Sequence, residues 1–119
     1  MASKALVTGG KGFIGSRLVR YLKCDSIDLV DGQDVRKVKL GDYDIVYHLA
    51  ALRSVPRSFN EARAFFDTNV WGTFNIAKQA KRLVNISSSS VYTAKSPYAV
   101  SKACAEAVGS CHQNCVNLK

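Results

Sequence analysis

The decapeptide VTGGKGFIGS, Val7 to Ser16, restricts this chain more than any other stretch. An apolar run from Lys4 to Thr8 leads into paired glycines. Phe13 to Lys23 then places Ile14, Leu18, Val19 and Leu22 at helical spacing. That order reads as a buried strand, a glycine-rich turn and a helix whose unpaired N–H groups face the turn. Gly10-x-Gly12-x-x-Gly15 fits the dinucleotide-binding pattern, and Gly9-x-x-Gly12-x-x-Gly15 fits its wider-spaced relative. Glycines at 9 and 12 let the backbone approach a pyrophosphate, and Gly15 lets the helix pack close to the strand. Asp31, 19 positions beyond Gly12, is the acid expected to accept hydrogen bonds from both ribose hydroxyls. It would repel a 2′-phosphate, which favours NAD over NADP.

The same alternation continues along the chain. Ser26 to Val30 is a second strand candidate, closed by Asp31-Gly32, and DIVYHLA, Asp44 to Ala50, is a third. Asn60 to Lys81 reads as one long helix with Ala62, Phe66, Val70, Phe74 and Ala77 on one side. Leu83 to Ser87 is the next strand, Ser96-Pro97 opens the last helix with a cap and a first-turn proline, and CVNLK starts one more strand. Strands alternating with helices predict a parallel sheet covered on both faces, a minimal doubly wound α/β domain over residues 1–119.

Composition narrows the function. With 17 Lys+Arg against 9 Asp+Glu the net charge is +8, which favours anionic ligands. The basic residues are dispersed, RKVK at Arg36 to Lys39 being the one dense run, so they read as a solvated face rather than a nucleic-acid footprint. No apolar run approaches the ~18 residues of a membrane span. MASKALVTGG lacks the pattern of a signal peptide, and Cys24, Cys104, Cys111 and Cys115 form no CxxC pair, so a cytoplasmic location with reduced thiols is expected.

A second constellation lies near the end of the chain. Tyr98 and Lys102, four apart on the expected helix, share a face. An ammonium beside a phenol stabilises the phenolate, which makes Tyr98 a usable general base. Ser87-Ser88-Ser89-Ser90 sits just upstream at a strand end, where α/β sheets place their ligands. A hydroxyl there can hydrogen-bond a substrate oxygen as its proton leaves.

With VTGGKGFIGS, YHLAALRSVPRS, NVWGTFNIAKQA, NISSSSVY and SPYAVSKACAE all in place, the chain resembles the extended short-chain dehydrogenase/reductases of the nucleotide-sugar epimerase/dehydratase group. ALRSVPRS followed by SSSSVY is most similar to the UDP-N-acetylglucosamine 4-epimerases. The resemblance implies a Rossmann domain with NAD as cofactor and a UDP-sugar substrate. It makes Tyr98 the base, Lys102 its partner and nicotinamide-ribose ligand, and Ser88 the hydroxyl four before Tyr92, with Ser89 and Ser90 as lesser substitutes. Gly9, Gly12, Phe13 and Ile14 would line the pyrophosphate, Asp31 the ribose, and Asp34 and Val35 the adenine. Leu49, Ala50, Ala51 and Arg53 would follow the third strand along the cofactor, and Asn69 would organise the site from mid-helix. The implied chemistry is transient oxidation: Tyr98 takes the proton of the sugar 4-hydroxyl, hydride leaves, and hydride returns to the other face of the keto sugar.

Departures from the family pattern carry their own expectations. Asp31 and Asp34 are nearly adjacent, only five residues separate Tyr92 from Tyr98, and the sequence ends at NCVNLK, where the family's next strand begins. A separate substrate-binding subunit is therefore expected. The alternatives are another nucleotide-sugar dehydratase or reductase, or a non-catalytic NAD-binding module. A dehydratase calls for an acid near the serine cluster, and SSSSVYTAK contains none. Retention of Ser88, Tyr98 and Lys102 argues for an enzyme. Trp71, Phe65, Phe66 and Phe74 are expected in the core or at an interface, and a homodimer through the 60–81 helix is predicted. His48 reads as a satisfied core histidine, Cys111-His112-x-x-Cys115 as a helix face rather than a metal site, and Glu106 as a structural pairing group.

Overall fold

The structure, a computed structural model, describes residues 4–88 and 95–118. Five parallel strands form one sheet in the order β2-β1-β3-β4-β5. They are β1 Ala5–Thr8, β2 Asp25–Ile27, β3 Ile45–His48, β4 Leu83–Ile86 and β5 Cys115–Leu118. Helices α1 Phe13–Leu22, α2 Val55–Asn60, α3 Ala62–Phe66, α4 Gly72–Ala77 and α5 Pro97–Ser110 complete the expected Rossmann-like α/β fold.

Alternate residues of the sheet explain its two faces. Leu6, Val46, Leu83 and Cys115 stand in register on one face. There they join Ile76, Ala77 and Ala80 in the main apolar cluster. On the other face Val7 is fully buried, while Val116 and Leu118 on the last strand remain 56% and 48% exposed.

The second strand is shorter than its apolar run. It stops at Ile27 because the Asp28 carboxylate accepts from the Val30 N–H at 3.0 Å and caps a short 3₁₀ turn, Leu29–Asp31. The chain then returns to β3 through residues 32–44 without a regular helix. Side chains of α4 and the residues after it take up its backbone groups. Asn75 donates to the carbonyls of Val35 and Val38, and the Gln79 amide accepts from the Leu40 N–H at 2.7 Å.

The single long helix expected over 60–81 is instead a broken rod. Glu61, at φ −126°, separates α2 from α3. Asp67–Trp71 forms a wide π-type turn, in which the Gly72 N–H reaches back to the Asp67 carbonyl, and α4 ends at Ala77. The Thr73 hydroxyl donates to the Asn69 carbonyl at 2.7 Å, a side-chain partner where the backbone ladder is disturbed. The rings on this rod divide. Phe65 is fully buried, but Trp71 and Phe74 are 62% and 47% exposed and stack edge-to-face, so these two are not core residues. In α5 the expected cap is present: the Ser96 hydroxyl accepts from the Ala99 N–H at 3.0 Å, and Pro97 occupies the first turn.

Candidate functional site

A cavity of about 320 Å³ opens at the carboxyl ends of β1, β2 and β3. The chain runs from β1 to β2 on one side and returns to β3 on the other, so this is the point where strand order reverses and doubly wound sheets place their ligands. Of the expected cofactor residues, Gly9, Gly12, Phe13, Ile14, Asp34, Val35, Leu49, Ala50, Ala51 and Arg53 line it. Leu52 and Thr68, not anticipated, line it as well.

Its glycine wall is built for close approach. Gly9 has φ +73°, and a Cβ there would lie 3.0 Å from the Ala50 nitrogen, so the first turn and the loop after β3 meet backbone to backbone. A Cβ on Gly15 would stand 2.0 Å from the Gly9 carbonyl oxygen, which no side chain tolerates. Helix α1 follows at once. Gly12 caps it without a side-chain bond, leaving the first-turn N–H groups for an anion.

The acid at this wall is Asp28, not Asp31. Asp31 lies in the 3₁₀ turn, exposed, and does not line the cavity, because the strand ends three residues earlier than its apolar run suggests. The Asp28 carboxylate accepts from the Lys11 N–H at 2.9 Å and lines the cavity beside Leu29. The signal available in the sequence was the polar residue directly after Ser26-Ile27, 16 positions past Gly12. Asp34 is engaged by Arg36 at 2.5 Å, and that hydrogen bond holds its carboxyl below the usual range.

Behind the cavity runs a buried polar chain. Thr8 Oγ1 meets His48 Nδ1 at 2.7 Å, and His48 Nε2 meets Thr73 Oγ1 at 2.9 Å. Both ring nitrogens are thus partnered, as expected of a core histidine, and burial pushes the imidazole down to about 3, so it is neutral. Asn69 accepts the Leu52 N–H at 2.8 Å and donates to the Leu52 carbonyl and to Ser101 Oγ, which itself donates to the Tyr98 carbonyl. Asn69 therefore lies behind the cavity wall and ties it to the first turn of α5.

The catalytic candidates occupy the adjoining end of the sheet. Tyr98 is half-buried, its ring meeting Phe65 edge-to-face at 6.3 Å. Lys102 is buried, and its Nζ donates to the Ile86 carbonyl at the end of β4 at 2.9 Å. Desolvation, with a smaller contribution from the Arg53 charge, pulls this ammonium down to about 8. Ser88 is the second residue after β4, whereas Ser89, Ser90 and Tyr92 lie outside the described residues. The Ser87 hydroxyl donates to Glu106 at 2.6 Å, so an acid from α5 does reach the serine segment, in the structural pairing expected for it. His112 uses Nε2 on the Ala80 carbonyl and Nδ1 on the Asn114 N–H, and Cys111 and Cys115 are free thiols. No described helix is long and apolar enough to cross a membrane.

The family model for GDP-mannose 4,6 dehydratase matches residues 22–118. The chain belongs to this family. Among its relatives, the dTDP-glucose 4,6-dehydratase of Neisseria meningitidis serogroup B is 31% identical over 112 residues, covering 66% of this chain and 31% of that protein. Two solved structures extend the likeness to the fold. An NAD-dependent NDP-hexosamine 5,6-dehydratase involved in tunicamycin biosynthesis superposes with a TM-score of 0.86 at 28% identity, covering 94% of this chain and 50% of that one. A UDP-N-acetylglucosamine 4-epimerase from Methanobrevibacter ruminantium M1 gives 0.83 at 26% identity, covering 98% and 54%. The chain thus spans about a third of the length of the curated relatives it matches, and about half of the solved ones. Epimerases and dehydratases both stand among these family members.

Proposed function

We propose that this chain is the NAD-binding, catalytic part of a nucleotide-sugar 4-epimerase that works by transient hydride transfer on a UDP-hexose or UDP-N-acetylhexosamine. The observation that carries the reading is the junction of the glycine wall, Asp28 and the loop after β3 at one crevice, with Lys102 and Tyr98 at the adjoining strand end. The residues fit NAD. The Gly9–Ala50 approach leaves no room for a Cβ, the open first turn of α1 suits a pyrophosphate, and the Asp28 carboxylate oxygens keep lone pairs for ribose hydroxyls. Phe13, Ile14, Asp34, Val35, Leu49, Ala50, Ala51 and Arg53 would form the remaining contacts.

When bound, NAD would supply the hydride acceptor for the sugar C4 carbinol and the donor that returns hydride to the ketone. Tyr98 takes the 4-hydroxyl proton and gives it back. Lys102, four residues on along α5 and anchored on the Ile86 carbonyl, supplies the positive charge on the Tyr98 face and would hold the nicotinamide ribose. Ser88 hydrogen-bonds the reacting oxygen. The sugar and its diphosphate are held by a substrate-binding subunit, and copies pair through the exposed Trp71–Phe74 face.

A second reading, 4,6-dehydration, is favoured by the matched family model. Against it, the described acid nearest the serines, Glu106, is engaged by the Ser87 hydroxyl, two helical turns from Tyr98. The test is calorimetry with NAD followed by NMR of the chain with NAD and UDP-N-acetylglucosamine, with and without a candidate substrate-domain protein. The 4-epimer supports the first reading and a 4-keto-6-deoxy sugar the second. NAD binding without any product under both conditions leaves a cofactor-binding module.

A further inference from the structure

The loop lining the cavity after β3 is held at two points, and both belong to one buried chain of hydrogen bonds. At its start, Thr8 Oγ1 accepts the N–H groups of Leu49 and Ala50, each at 3.1 Å. At its other end, the Asn69 amide clamps both backbone groups of Leu52. Bond accounting assigns the direction of what lies between. Two accepted N–H groups use both lone pairs of Thr8 Oγ1, so its proton goes to His48 Nδ1. His48 must then carry its hydrogen on Nε2 and donate to Thr73, whose own proton goes to the Asn69 carbonyl. Thr8, His48, Thr73 and Asn69 are each no more than 3% exposed, so water does not substitute for any link.

We propose that His48 is a positioning residue: a neutral Nε2–H imidazole that couples the two anchors of the 49–52 loop and so fixes its backbone against Gly9 across the cofactor crevice. It touches neither cofactor nor substrate and acts through Thr8 and Asn69. Two features suit imidazole to the task. It presents an acceptor and a donor on opposite edges of a rigid ring, spanning from a strand to a helix, and burial keeps it from taking up a second proton that would reverse the bond to Thr8. The π-type turn belongs to the same device, since the hydroxyl of Thr73 fills the carbonyl of Asn69 within it.

The inference rests on the reading that the crevice holds NAD, and the experiment separates the two. The wild-type chain, Thr73→Val, Thr73→Ser, His48→Leu and His48→Gln are compared by NAD calorimetry and by melting. Nitrogen-detected NMR reports the His48 tautomer in each histidine-containing form. Thr73→Val should weaken NAD about tenfold, the worth of a buried hydrogen bond, and Thr73→Ser should return it to within about threefold. His48→Gln, which offers an acceptor and a donor, should bind NAD more tightly than His48→Leu. A folded Thr73→Val with wild-type affinity, or no rescue by Thr73→Ser, would overturn the proposal, since a purely structural bond would lower melting alone. If wild type itself fails to bind NAD, the cofactor reading falls. The relay is then judged by NMR: an Nε2–H imidazole with constant shifts from pH 5 to 8 supports it, and an Nδ1–H or titrating ring overturns it.

Discussion

Lys102 Nζ donates to the carbonyl of Ile86 at 2.9 Å from a buried position, with the charge of Arg53 close enough to be felt. Burial first, and Arg53 second, bring this ammonium down to about 8 from an ordinary value of 10.5. The folded state therefore gives up the proton before the unfolded chain does, and stability rises with pH between about 8 and 10.5. The gain across that window is on the order of 3 kcal/mol, readable as a higher urea midpoint at pH 10 than at pH 7. The proposed mechanism uses the ammonium, so activity should run the other way, the rate falling as pH rises through about 8. Arg53→Gln removes the like charge and should move this alkaline limb upward. An unmoved limb in a variant that still binds NAD would assign the titration to another group.

Tyr98→Phe separates chemistry from binding. The ring keeps its edge contact with Phe65, and Ser101 still donates to the backbone carbonyl of residue 98, so NAD affinity should stay within about twofold. Turnover should drop by about 10³-fold or more, the loss expected for a positioned acid–base group. A variant that lost NAD affinity and turnover in parallel would place Tyr98 in binding instead.

Asp28 and Asp31 offer a direct comparison. Asp28 takes the Lys11 N–H and faces the cavity, while Asp31 is exposed in the 3₁₀ turn beyond it. Asp28→Asn should weaken NAD by about tenfold and narrow its margin over NADP, whereas Asp31→Asn should change neither by more than about twofold. Calorimetry with both nucleotides decides the matter, and the reverse ranking would restore Asp31.

These cases mark what the sequence could and could not reveal. The glycine wall, the Ser96-Pro97 helix start and the Tyr98/Lys102 face were legible because each is set by residues within a few positions of one another. The sequence pattern points to Asp31, whereas the acid that lines the cavity lies three residues earlier, because Asp28 ends its strand with its own side chain and apolar patterning does not register that bond. His48 could be read as a partnered core residue, but its partners could not, since Thr8 and Thr73 lie 40 and 25 residues away. The break in the long helix was hidden for a related reason. Its apolar stripe continues through the π-type turn, where a threonine hydroxyl takes the Asn69 carbonyl and Gly72 lies close against Val35.

Gly15→Ala tests the cradle itself. The added methyl would begin 2.0 Å from the Gly9 oxygen, a backbone atom that cannot rotate away. Either α1 moves off β1 or the Gly9 turn opens, so the variant should lose about 2 kcal/mol or more of stability and NAD binding together. An alanine variant with unchanged melting and affinity would show that the turn is more compliant than its contacts imply.

The exposed Trp71–Phe74 pair allows a test that needs no cofactor. The rings lie edge-to-face with centroids 5.9 Å apart, and the Lys78 ammonium sits 5.9 Å from the Phe74 centroid. Two large rings exposed on one helical rod resemble an interface anchor more than a solvated surface. Light scattering of the wild type should therefore give a dimer mass that dissociates on dilution. Trp71→Ala should raise the dissociation constant at least tenfold, because truncating a central ring removes about 2 kcal/mol of association energy. The folded monomer should be unharmed, since the ring buries little against its own chain. A wild type that is monomeric at concentrations well above micromolar would overturn the pairing.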